Sequence, residues 1–230
     1  MPTIQSGYDL FETDGDAYFT LPHGFSVPAD FFQKGSAPFS GIIRFTGSPI
    51  RKFEDPRTGK EHKIGSTDTI VLRKKDVTFA NVPGSGTTEI ELVMLSLKSV
   101  SPIQVRTAHG VQKWDVTVSI SSAKPSAGTM TIRQTSESGG TFDSELTIYP
   151  VFHFERHSDG ETKTFDTGAA KIPQERVDLV SRINNLQAAD VPWTTSHPAG
   201  TLAATALTGN FAVARIAHHS HNVVATTVLA

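Results

Sequence analysis

Trp114-Asp115-Val116-Thr117-Val118-Ser119-Ile120 is the stretch that decides the fold class. Trp114, Val116, Val118 and Ile120 are apolar, and Asp115, Thr117 and Ser119 between them are polar. Successive side chains on a strand point to opposite faces, so this run places its apolar groups on one face and its polar groups on the other. That pattern predicts a half-buried antiparallel strand. Two neighbouring stretches repeat the rule: Met130 and Ile132 within 128–135, then Phe142, Leu146, Ile148, Phe152 and Phe154 within 141–155. Breaks rich in Pro, Gly and Ser separate the three, which makes them successive strands of a meander or sandwich.

The chain has 230 residues. At that size a β-domain of ~200–250 residues still forms one core. Charged residues are 19% of the sequence, below the roughly 25% of an average soluble domain, and Ser, Thr, Gly and Pro fill the difference. Those four residue types suit turns and outward strand faces. A net charge of −2 supplies no global field for nucleic acid or an acidic membrane, so nucleic acid is not expected as a partner. The absence of cysteine excludes disulfides, thiolate metal sites and cysteine nucleophiles together. Cysteine-free sandwiches are common in cell envelopes and outside cells, which is the localisation expected; a cytoplasmic protein fits the same composition. Residues 1–10 show neither a basic segment nor an apolar one, so no signal peptide is read there. No apolar run approaches the ~20 residues of a membrane helix, and a soluble protein without a transmembrane segment is expected.

Taken in order, the chain opens on aromatic clusters: Tyr8 to Phe11, Tyr18-Phe19, Phe25 and Phe31-Phe32. Pro and Gly break them up, and they read as a lead-in laid over a sheet edge or the open end of a sandwich. Asp14-Gly15-Asp16 is read as a turn, because no further oxygen ligands follow at calcium-loop positions. Residues 41–45 make a strand, and 51–63 a solvated hairpin or loop turning at Asp55-Pro56-Arg57-Thr58-Gly59. The strand 69–72 is followed by Arg73-Lys74-Lys75, read as cations blunting an exposed edge in preference to a phosphate patch, since Asp76 adjoins them.

Within 88–100 the apolar residues change parity, from Ile90, Leu92 and Met94 to Leu95 and Leu97. Either both faces are covered or a bulge inserts one residue near Met94-Leu95. His109-Gly110 reads as a turn leading into 114–120, and Asp159-Gly160 as the turn of a hairpin joining 152–156 to 163–165. Pro150 lacks a donor, so the long stretch 141–155 is expected to be an edge or bulged there.

Residues 173–189 are the only helix candidate, with Pro173 at the start, Glu175 in the first turn and an Asp178/Arg182 pair. The tail is nearly uncharged and rich in Ala, Thr and Val, which suits strands over 201–208 and 210–229. The fold expected is therefore an all-β, antiparallel β-sandwich of two packed sheets or modules, with one short helix near 173–189. Residues 1–170 form the sandwich core, with a candidate module boundary near 101–110. Residues 171–230 add the helix and the C-terminal strands.

Chemistry-bearing patterns are sparse. In His218-His219-Ser220-His221, His219 and His221 would share a strand face with Cα atoms ~6.6 Å apart, near enough to hold one metal. The third ligand expected is His197, with His153, His157 and His109 as alternatives, and the cofactor a divalent transition metal such as Zn or Cu. No acid lies within ten residues of the cluster, so oxygenase and cupin ligand patterns are unmatched. The competing reading is a polar strand face or subunit contact. His153, with Glu155 on the same face, is conceivable as a general base, but a cross-strand hydrogen-bond partner is the preferred reading. Glu89 and Glu91 share a strand face and read as a solvated row. No phosphate loop, dinucleotide fingerprint or nucleophile elbow occurs.

Three functions are carried forward. The first is a non-enzymatic binding or assembly protein of the envelope or extracellular space, partnered by itself, an envelope protein or a glycan. The second is a His-based metal-binding protein or metal-dependent enzyme. The third is a carbohydrate-binding module, which would require Trp193 or Tyr149 as an exposed platform.

Overall fold

The alternation at 114–120 is realised: Trp114, Val116 and Val118 are buried, and Asp115 and Thr117 are exposed. These residues belong to a computed structural model that describes residues 1–13, 17–20, 27–169, 191–194 and 212–213. Among the described residues there is no helix, and antiparallel sheets pack on one another. The predicted helix 173–189 lies outside them, as does most of the predicted strand 210–229. No helix among the described residues is long and apolar enough to cross a membrane.

Strands are numbered in chain order. The organising run lies on β12 (Gly110–Ile120). Its sheet, the first, continues on one side through β15 (Pro150–Arg156) and β16 (Thr162–Asp166). On the other side come β10 (Leu97–Ser99), β4 (Ile42–Gly47) and β3 (Ala17–Thr20), while β11 (Ile103–Thr107) pairs with the start of β12. The second sheet begins with β18 (Ala212–Val213), β17 (Val191–Thr194), β14 (Gly139–Leu146) and β13 (Ser126–Ser136). It continues through β9 (Gly84–Leu95), β7 (Thr69–Arg73) and β2 (Gly7–Phe11). Two short pairs complete the set: β1 (Thr3–Ile4) with β8 (Val77–Thr78), and β5 (Arg51–Asp55) with β6 (Lys60–Gly65).

One apolar cluster joins both sheets, with Phe45, Trp114, Phe152 and Phe154 from the first and Ile90, Leu92, Met130, Ile132 and Phe142 from the second. Phe32 lies 5.1 Å from both Trp114 and Phe154, ring centroid to centroid, so the Phe31-Phe32 part of the lead-in does cover the core. Tyr8 to Phe11 does not behave as a lead-in. It is the full edge strand β2, buried at Tyr8, Asp9 and Phe11.

The stretch 141–155 is not one strand. β14 ends at Leu146 in the second sheet, and β15 begins at Pro150 in the first. Between them Thr147 N–H bonds the Ala127 carbonyl and Ser121 N–H bonds the Tyr149 carbonyl, so the crossing is tied to both sheets. Pro150 opens a strand, a position where a missing donor is tolerated.

The parity change in β9 has both of its expected causes. Ile70 pairs with Met94 while Val71 pairs with Leu92, so Val93 is an extra residue, a β-bulge. Leu92 and Leu95 thereby both reach the main core, and Val93 and Met94 both turn outward. The outward face is covered as well. The β5–β6 hairpin lies over it, with Phe53 and Ile64 packed on Tyr8 and Ile70 in a second, smaller cluster.

A polar latch fixes that hairpin. Tyr8 OH donates to Asp55 Oδ1 at 2.7 Å, and Arg57 N–H and Thr58 Oγ1 donate to the same carboxylate at 2.9 and 3.0 Å. Burial by itself would raise the Asp55 carboxyl; these hydrogen bonds outweigh it and hold the group down at about 2. A carboxyl held below its unfolded value stabilises the fold above about pH 4 and loses that contribution as pH falls toward 2. Tyr8→Phe is therefore expected to cost about 1.5–3 kcal/mol at neutral pH and to move acid unfolding to higher pH. Urea titrations across pH check both; an unchanged acid midpoint would remove Tyr8 from the latch.

Candidate functional site

The outer face of β12, β15 and β16 is polar. Alternation sends Asp115, Thr117 and Ser119 outward from β12, and register sets Asp115 opposite Glu155 and Thr117 opposite His153. His153 in turn faces Thr164 of β16. Ser119 Oγ and His153 Nε2 are 2.9 Å apart, and Thr164 Oγ1 lies 3.4 Å from His153 Nδ1. Both imidazole nitrogens are thus engaged across strands. At the strand end, His157 Nε2 meets Asp115 Oδ2 at 2.7 Å.

A Ser–His contact of this length is what a nucleophile and its base require. Here the ring is oriented by a neutral hydroxyl in place of a carboxylate, and all three groups sit on an open sheet face. The arrangement is therefore a hydrogen-bonded ladder, the cross-strand role expected of His153. Its hydrogen bonds are solvent-exposed, so His153→Ala is expected to cost less than about 1 kcal/mol in chemical denaturation. A larger loss would make the ladder a stabilising network.

On the second sheet, Glu89 and Glu91 form the solvated row expected, each with a cation: Lys75 Nζ at 3.4 Å and Lys74 Nζ at 2.7 Å. Arg73 departs from the sequence reading. β7 is an inner strand between β2 and β9, and Arg73 is 1% exposed. Its Nε lies 3.1 and 3.0 Å from the two oxygens of Asp9, and Nη1 donates to the Gln5 carbonyl. Burial pushes the Asp9 carboxyl up to about 6 against the pull of Arg73. One member of the basic triplet therefore neutralises a core acid, and the other two pair on the surface.

A second interior acid, Asp68, is held by neutral donors. Thr13 N–H and Thr69 Oγ1 each donate at 2.7 Å, and Thr13 Oγ1 at 3.1 Å. Burial raises this carboxyl. Gly47 leaves room for it, because a Cβ there would lie 1.9 Å from Asp68 Oδ2. Asp68 also bonds Phe11 and Ser96 through its backbone, so it ties β2 to the link between β9 and β10, where the chain passes from the second sheet to the first. No sequence signal points to this role, since a single Asp in a loop carries no pattern.

Of the metal ligands anticipated, His197, His219 and His221 lie outside the described residues. Of the alternative third ligands, His153 and His157 have the partners given above. Among the described residues no set of three His, Asp or Glu is placed to hold a metal. The aromatic platform required for a glycan module is not formed by Trp193. That ring is 2% exposed, and its Nε1 donates to the carbonyls of Arg133 and Thr141, both at 3.2 Å. Tyr149 is half-buried, with Lys124 Nζ 5.2 Å from its ring centre. Comparison with protein-family models, curated proteins and solved structures finds no match for this chain.

Proposed function

We propose that this chain is a non-enzymatic β-sandwich protein that acts by binding or assembly in the cell envelope or extracellular space. What carries the reading is how the groups capable of chemistry are used. Ser119, His153 and Thr164 bond one another, as do His157 and Asp115, and Asp9 is joined to Arg73. The buried pair rigidifies its sheet, and the exposed groups present an array of donors and acceptors on the outer face of β12, β15 and β16. A surface of that kind suits a protein partner or a second copy, since standard interfaces are about as polar as the rest of a protein surface.

The expected result is a particle heavier than one chain in light scattering or mass photometry, or a protein or glycan captured by the purified chain. A strictly monomeric particle that binds neither would refute the proposal.

A further inference from the structure

We propose that the β5–β6 hairpin is exchanged between two copies of this chain, each hairpin docking on the other copy's β2–β7–β9 face. This deepens the assembly reading above and rests on it. The hairpin is joined to the sandwich at two facing residues, Arg51 and Gly65, which are register partners next to an irregularity in the pairing. Both are in the left-handed backbone region, with φ of 64° and 68°. Glycine adopts that conformation freely, whereas the Cβ of Arg51 crowds its own backbone there. Short connections under such strain favour exchange of the element they hold, because the open form relieves them.

The hairpin's contacts are also separable from the main core. Phe53 and Ile64 pack with Tyr8 and Ile70 in a cluster of their own, flanked by Leu10, Leu72, Val93 and Met94. If the hairpin swung out, that apolar face would need a new cover. The occupant with matching chemistry is the same hairpin from a second copy. It brings Phe53 edge-on to the Tyr8 ring at 4.9 Å, the Asp55 carboxylate to the Tyr8 hydroxyl, and the Arg57 guanidinium 4.8 Å over that ring. Exchange keeps each of these contacts and closes into a two-fold dimer.

The chain has no cysteine, which permits a direct test. Copies carrying Tyr8→Cys and copies carrying Asp55→Cys are mixed at high concentration, exposed briefly to acid and returned to neutral pH. A short thiol-to-thiol cross-linker then spans the gap that the missing tyrosine ring leaves. Exchange predicts a covalent heterodimer from the mixture and none from either variant alone, since position 8 of one copy would lie beneath the hairpin of the other. Dimers of the unaltered chain in light scattering without that covalent species would overturn exchange and leave assembly standing. A strictly monomeric unaltered chain would overturn exchange and self-assembly, and one that also captures no protein or glycan would defeat the proposed function as well.

Because each cysteine removes part of the latch, hydrogen exchange on the unaltered chain supplies an independent check. Amides of 51–65 should exchange together, at least about tenfold faster than those of β12 and β13. Equal protection would overturn the hinge.

Discussion

Trp114→Ala is expected to lower stability by about 3–5 kcal/mol, the range for removing a large ring from a core. Trp114 is fully buried and central, with Phe32 against one part of its ring and the Arg156 guanidinium carbon 5.4 Å from its centre. Its removal leaves a cavity where the lead-in, β12 and β15 meet, and Phe32 loses the surface that holds it. Lys113, the exposed residue beside it on β12, serves as the control: Lys113→Ala should change stability by less than about 0.5 kcal/mol. Chemical denaturation of both variants decides the matter. A loss below roughly 1 kcal/mol for Trp114→Ala would mean that this ring does not anchor the sandwich.

Deleting single residues from β9 is expected to give opposite outcomes two positions apart. Removing Leu95 should abolish soluble expression. It takes a 5%-exposed side chain from the core and brings Ser96 into its place opposite Thr69, after which the β10 side chains leave their faces. Removing Val93 should leave a folded protein, destabilised by about 1–2 kcal/mol from the loss of one apolar contact under the hairpin. With Val93 gone, Leu92, Met94 and Leu95 fall opposite Val71, Ile70 and Thr69 without interruption, and the alternation is restored. Expression and thermal melting of the two deletions test this directly. A soluble, native-like protein lacking Leu95 would refute the register, and an insoluble one lacking Val93 would show that the bulge itself is required.

These two variants also separate local from distant information. The ring at 114 is legible because alternation over seven residues fixes a face without reference to any other part of the chain. The parity change near Met94-Leu95 is equally legible as a bulge or a doubly covered strand. Which residue is extra depends on pairing with β7, about twenty positions earlier, and no local pattern contains it.

The polar face of β12, β15 and β16 follows the same division. His153 on a solvated face can be read from its neighbours. Its partners Ser119 and Thr164 are 34 and 11 residues away and meet it only through the register of three strands. Arg73 departs from its sequence reading for a related reason. A cation at the end of a strand followed by two lysines resembles an edge, and its burial is made tolerable by Asp9, brought alongside by β2, and by the Gln5 carbonyl.

The sequence by itself determined the all-β class, the strands around 41–45, 69–72, 114–120 and 152–156, the turns at 55–59 and 109–110, and the hairpin turn at 159–160. Side-chain period and turn chemistry act over a few residues, and they suffice for that. Tertiary structure alone decided which sheet each strand joins. Phe142, Leu146, Ile148, Phe152 and Phe154 keep one parity, yet the chain crosses from the second sheet to the first at 147–149. It also decided that the charged hairpin 51–65 covers an apolar face, and that Asp68 ties β2 to the link between β9 and β10. Alternation records that a side chain is inward but not which neighbours it meets, and those neighbours are fixed by contacts between residues far apart in the chain.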